Sequence, residues 1–225
     1  MATTIYLIRH GETVDADSRR YKGHIDVPLS ERGIDQIKRL ADYMGQHSSI
    51  SSHKVQNGST LNNIEPLHNM EQSKIRAVYS SGLSRALKSA EIIAAPFGIK
   101  PIIRDELKER NFGAWEGMTF DDISKKWPEA FTAWAENPLE FSPLEGESTL
   151  EARDRAMKAF NEIISEHKDE DIAIVSHGGI TRIILCELLG MPLENIFRIE
   201  QDFAALNIIE LWDYPAVKLM NGRVE

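Results

Sequence analysis

Residues 3–8 form a run of β-branched, aromatic and aliphatic side chains with almost no polar alternation, which predicts a strand buried on both faces. The pattern returns in IRAVYS at 75–80 and IAIVS at 172–176, and more briefly at 99–103, where Pro101 predicts an edge strand. Between these runs the apolar period lengthens. Ile34, Ile37, Leu40, Ala41 and Met44 recur at helical spacing behind Ser30, a residue suited to cap a helix, with Gly33 tolerated inside. A second helix follows Ser81-Gly82-Leu83-Ser84 and runs through Ala94. Residues 119–136 carry Phe120, Ile123, Trp127, Phe131 and Trp134 at helical spacing, broken by Pro128 into two short helices. A Pro-rich loop then precedes a helix capped by Ser148 or Thr149 and ending near His167. A further helix follows the glycines at 178–179, and two strand-like runs, ALNIIELW and AVKLM, close the chain.

Strands alternating with helices predict an α/β fold, a three-layer α/β/α sandwich around a mostly parallel sheet. No internal repeat or domain boundary interrupts it. The expectation is one domain over residues 1–225 with a small helical cap inserted at about 118–145. Residues 46–74, rich in Ser, Asn, His and Gln, break the periodicity and predict a long polar insertion with no chemistry of its own.

Composition narrows the class. The chain has 225 residues, 42% hydrophobic and 27% charged, enough for a sizeable core. No apolar run is long enough to cross a bilayer, and MATTIYLIRHGET lacks the form of a signal peptide, so a cytoplasmic location is expected. A net charge of −9 argues against nonspecific binding to nucleic acid or anionic membrane, but a pocket can still be locally positive. The single Cys186, in an apolar stretch, excludes an internal disulfide and a multi-Cys metal site. His and carboxylate spacings also give no zinc pattern, so neither metal nor cofactor is expected.

In open α/β sheets, ligands bind beyond the carboxyl ends of the strands. Arg9-His10-Gly11 follows the first strand, Ser80 to Arg85 the second, Glu109 lies beyond the third, and Ser176-His177-Gly178-Gly179 follows the fourth. Alone, each has a bland reading: a structural Arg-His pair, a satisfied His177, Arg85 as a solvated partner of Glu91, Glu109 as a surface acid. Together they suit phosphoryl transfer. A neutral His10 can attack phosphorus and hold it as a phosphoramidate. Arg9 and Arg85 would keep it unprotonated as like charges and grip the phosphate oxygens. His177, if protonated, and the Gly178 N–H at a helix start would donate to the same oxygens. Glu109 would protonate the leaving oxygen and then activate water.

The strings LIRHGET at 7–13, YSSGLSRALKSA at 79–90, LKERNFGAWEG at 107–117 and IVSHGG at 174–179 resemble the four signatures of the histidine phosphatase superfamily, in its phosphoglycerate-mutase-like branch. The resemblance covers nearly all the chain outside 46–74. It implies His10 as phospho-acceptor, Arg9, Arg85 and His177 as phosphate pocket, Glu109 as proton donor, and a metal-independent phosphomonoesterase. There are departures. Gly82 stands where the family usually has Asp, and Lys88-Ser89 where Gln-Thr is common, positions read as helix start and packing. Asp15-Ala16 replace a Trp-Asn pair and remove an amide from the phosphate site, which leaves Thr13 or the Gly23 region to fill in.

Lys125-Lys126 and bulky aromatics stand where mutases carry a paired-Arg segment, so hydrolysis is favoured over a mutase-type phosphotransfer, and the presence of all five candidate residues counts against a silent phosphate-binding protein. The C-terminal FRIEQDFAALNIIEL and YKGHIDVPLSERG at 21–33 are similar to α-ribazole phosphatases. The expected partner is therefore a small phosphorylated metabolite, with α-ribazole 5′-phosphate the first candidate and a homodimer the assembly to test. Trp115, Trp127, Phe131 and Trp134 could wall a base-like substrate, but their spacing favours packing the cap. His24, beside Gly23, is expected at the pocket edge, and His47, His53, His68 and His167 on the surface.

Overall fold

The computed structural model describes residues 2–18, 20–49 and 75–224. Its strands are β1 (Thr3–Arg9), β2 (Ile75–Ser80), β3 (Ile102–Ile103), β4 (Asp171–Ser176), β5 (Leu206–Leu211) and β6 (Pro215–Gly222). Its helices are α1 (Glu31–Ser49), α2 (Ser84–Ala94), α3 (Phe120–Lys126), α4 (Pro128–Glu136), α5 (Thr149–Glu166) and α6 (Gly178–Leu189). The strands form one sheet in the order β3-β2-β4-β1-β5-β6. The β3/β2, β2/β4 and β4/β1 pairings are parallel, while β5 pairs antiparallel with β1 and with β6. A short turn at 212–214 joins β5 to β6, and a connection that short permits only a hairpin.

The sheet is covered on both sides, which explains why its central strands lack polar alternation. Tyr6 and Ile8 of β1 pack with Val78, Ala173 and Val175 against Ile37, Leu40 and Met44 of α1 and Ile93 of α2. Ile5 and Leu7 point the other way, with Tyr79, Ile172 and Ile174, onto Phe160 and Ile163 of α5 and Ile184 of α6. The expected sandwich is the observed one.

Capping explains where several helices begin. Gly33 N–H donates to Ser30 Oγ at 3.0 Å at the head of α1. Thr119 with Asp122 and Ser148 with Glu151 form full capping boxes on α3 and α5. Pro128 ends α3 and opens α4. At one boundary the reading is corrected: residues 46–49 belong to α1 and not to a polar insertion, because helical hydrogen bonding continues past the last apolar position. The remainder of that insertion, 50–74, lies outside the described residues. Strand β3 is indeed at the edge, but only two residues of 99–103 pair.

Candidate active site

Strands β1 and β4 are parallel neighbours with Arg9 opposite Ser176, so the next residue of each, His10 and His177, leaves the sheet at the same level. Their ring centroids are 5.1 Å apart. His10 opens on a cleft of about 420 Å³ whose lining includes Arg9, Thr13, Lys22, Gly23, Arg85, Glu109, Gly178 and Arg182, while His177 is fully buried behind it and is not part of the lining. Residues spread over most of the chain thus converge through strand order alone.

His10 Nδ1 lies 2.7 Å from the Gly11 carbonyl. A carbonyl only accepts, so Nδ1 carries the hydrogen and Nε2 keeps its lone pair. Burial, then the like charges of Arg9 and Arg85, hold the ring well below its usual 6.5. The arginines act as expected, but desolvation is the larger cause.

Gly11 N–H donates to Ser89 Oγ at 3.2 Å, and Ser89 Oγ donates to Arg85 O at 2.7 Å. The same loop presses onto the first turn of α1. A Cβ on Gly33 would stand 2.0 Å from Glu12 O, and one on Gly11 2.4 Å from Gly33 O. Gly33 is therefore required by backbone-to-backbone contact and not merely tolerated.

Arg9 Nη1 donates to Gln201 O at 2.5 Å, its guanidinium carbon lies 4.0 Å from the Phe203 ring centroid, and its buried Nε has no protein partner. Burial lowers its pKa to about 10, which leaves it protonated at neutral pH. Arg85 is buried and donates from Nη1 to Ile25 O at 2.8 Å and from Nη2 to Gly23 O at 2.6 Å. Its bland reading is overturned, since Lys88 takes Glu91 at 3.0 Å.

The reading of His177 as a protonated donor is also corrected. Complete burial, followed by His10, Arg85 and Arg9, holds its ring well below 6.5, so it is neutral. Its Nε2 is 2.8 Å from Ser81 Oγ, and its buried Nδ1 has no protein partner.

Glu109 stands on the N-terminus of α6. Its Oε2 accepts from Gly179 N–H at 2.9 Å and its Oε1 from Arg110 N–H at 2.9 Å. Behind it, Arg155 donates to the carbonyls of Glu106, Lys108 and Glu109 and pairs with Glu147. Nothing in the sequence distinguished Arg155 from a solvated helix charge. His24 holds the same stretch from the other side, with Nε2 2.9 Å from Glu109 O. It supports the acid and does not line the cleft. Thr13 is buried at the rim, where Oγ1 accepts from Lys22 Nζ at 3.2 Å. Lys22 was not singled out, although a cation directly before Gly23 was a usable signal.

The cap side of the cleft is apolar. Trp115 stacks on Phe141 with centroids 5.3 Å apart and meets Trp134 edge-on at 6.3 Å; Trp115 and Trp134 both face the cleft. Phe131 packs edge-on against Phe120 at 4.6 Å and, like Trp127, is absent from the lining. Arg110 also lines the cleft, and three of its five N–H donors are engaged, Nε on Glu147 O, Nη1 on Thr149 Oγ1 and Nη2 on Phe141 O.

His167, expected on the surface, bridges Tyr79 OH at 2.8 Å and Glu170 at 2.7 Å. His53, His68 and the side chain of His47 lie outside what is described. Among the described residues, no group of three or more His, Cys, Asp or Glu is placed to hold a metal ion, and no helix is long and apolar enough to cross a membrane.

Comparison with known proteins places this geometry. The histidine phosphatase superfamily (branch 1) matches residues 5–53 and 67–221. Phosphoglycerate mutase-like protein 4 of Arabidopsis thaliana is 34% identical over 180 residues, covering 79% of this chain and 67% of that protein. The adenosylcobalamin/alpha-ribazole phosphatase of Salmonella typhimurium is 28% identical over 223 residues, covering 97% and 96%. The solved structure of Bacillus stearothermophilus YhfR superposes with a TM-score of 0.79 at 29% identity, covering 100% of this chain and 98% of that one.

Proposed function

The chain belongs to the histidine phosphatase superfamily (branch 1) and is a phosphomonoesterase, and from that premise we propose that it works through a phosphohistidine on His10. The observation that carries the reading is the Nδ1–H bond to Gly11 O in a ring held neutral, because it leaves Nε2 with an available lone pair. In the first step Nε2 forms a bond to phosphorus as the P–O bond to the alcohol breaks, and Glu109 gives its proton to the departing oxygen. In the second, Glu109 takes a proton from water, the water oxygen bonds to phosphorus, and the P–N bond breaks to release inorganic phosphate.

Arg9 and Arg85 hold the equatorial oxygens, joined by the Gly178 N–H, by Thr13 with Lys22, and by His177 through the nitrogen that Ser81 leaves unpaired. These groups supply positive charge without a metal. The substrate class is a small phosphorylated metabolite whose alcohol carries a flat apolar portion. Trp115 and Trp134 offer that portion a wall. α-Ribazole 5′-phosphate is one ester of that description, and a relative covering 97% of the chain is named for it.

The test is hydrolysis of an aryl phosphate in excess EDTA together with trapping of an acid-labile phosphoenzyme. Both are expected in the native chain and neither in His10→Ala. Full turnover by His10→Ala, or activity abolished by EDTA, would defeat the reading. A panel of α-ribazole phosphate, phosphoserine and phosphoglycerates then reads the preference for a flat alcohol.

A further inference from the structure

Arg9 is held from outside its own strand. Its Nη1 meets Gln201 O at 2.5 Å, and the loop that supplies this carbonyl returns to the catalytic strand twice more: Ala204 N–H donates to His10 O and Arg9 N–H to Ala205 O, both at 3.1 Å. What fixes that loop is a pair of buried amides. Gln201 Nε2 donates to Asn207 Oδ1 at 2.9 Å while Asn207 Nδ2 donates back to Gln201 Oε1 at 2.8 Å. The second hydrogen of Asn207 Nδ2 goes to Leu7 O at 3.0 Å, and Oδ1 also accepts from Asn221 N–H at 2.9 Å. Asn207 has no exposed surface and all four of its hydrogen-bonding positions are used.

Asn207 stands opposite Leu7 in the β5/β1 ladder, two residues before Arg9. A buried amide that served only to pin strand register would need no second amide above it. Here the second amide belongs to the residue whose backbone carbonyl grips the guanidinium. We propose that Gln201 and Asn207 are positioning residues for phosphate binding, a side-chain relay that starts on β1 and returns to Arg9 to fix its orientation. The proposal rests on the reading of Arg9 as a phosphate-holding cation.

The experiment is a double-mutant cycle between Gln201→Met and Arg9→Lys, read as the inhibition constant of orthophosphate against aryl phosphate hydrolysis, with circular dichroism to confirm folding. Gln201→Met keeps the backbone carbonyl and removes the amide. It is expected to weaken phosphate inhibition about tenfold, the equivalent of one net hydrogen bond. Added to Arg9→Lys, it should change the constant by less than about twofold, since contacting residues in one network do not add. Asn207→Ser, with the same expected signature, serves if the Met variant does not fold. Unchanged inhibition in Gln201→Met, or an equal loss in both backgrounds, would reduce the pair to a register pin. If Arg9→Lys itself left inhibition unchanged, the reading of Arg9 would fall with it; a weakened Arg9→Lys beside an unaffected Gln201→Met would sink the relay alone.

Discussion

Ser89 ties the loop after His10 to the helix that carries Arg85: its Oγ accepts from Gly11 N–H at 3.2 Å and donates to Arg85 O at 2.7 Å. One hydroxyl thus couples the loop beside the imidazole to the backbone of Arg85. This gives more weight to a position that the sequence marked only as helix packing. Ser89→Ala leaves a buried N–H unpaired, which costs about 1–3 kcal/mol. Urea unfolding should show a loss of that size, with kcat/KM reduced about 2- to 12-fold if half of it falls on the site. Unchanged kinetics would mean that the loop keeps its shape without the tether.

Acid should destabilise the protein through its two buried rings. His10 and His177 are both held well below 6.5 in the folded chain, so between that folded value and 6.5 the unfolded chain binds more protons. Stability from these groups is fully present above pH 6.5 and falls with pH below it. Each ring contributes a slope of up to about 1.4 kcal/mol per pH unit. Urea unfolding at pH 8, 7, 6 and 5 should show this, and a folded His177→Asn variant should lose about half of the histidine slope. An identical slope in that variant would contradict the assignment.

Gly33→Ala should destabilise, although it replaces glycine by the best helix former. Propensity alone would favour Ala by about 1 kcal/mol. The new Cβ at 2.0 Å from Glu12 O forces the loop away, and overpacking of this kind costs about 1–3 kcal/mol. The expected outcome is a lower Tm together with a raised KM, because the displaced backbone adjoins His10.

Glu109→Gln tests the acid. The amide oxygen can still accept from Gly179 N–H, at the loss of the acceptor for Arg110 N–H at a partly buried position, so the fold should survive with a modest loss of stability, but the amide has no carboxylic proton to give. The loss in kcat should be about 10²–10⁴ for an alkyl phosphate and much smaller for nitrophenyl phosphate, whose leaving group needs no proton. Equal losses for both esters would move the proton donor elsewhere.

The placement of the five candidate residues was legible because each lies in a contiguous string that follows a strand, where topology brings distant segments together. Helix starts were legible too, since Ser30, Thr119, Pro128 and Ser148 act within a few residues of themselves. What escaped depends on contacts over long separations. Gly33 looks permissive until Glu12 is seen above it, and Arg155 resembles any helix-surface charge until the carbonyls of 106–109 are gathered beneath it. Asn207 reads as a polar interruption in β5. The neutrality of His177 follows from burial, which no local pattern reports.

The strand order has a consequence for how activity arises during synthesis. β1 precedes the other strands of the sheet in the chain, yet its neighbours are β4, from 171 onward, and β5, from 206 onward. A nascent chain that has exposed His10, Arg85 and Glu109 still lacks the strand that sets them level. β1 must wait for two distant strands before both its edges are paired, a topology that slows folding and leaves those edges open to wrong partners. The histidine pair therefore cannot assemble before β4 is made, and β1 keeps an unpaired edge until β5 has joined it.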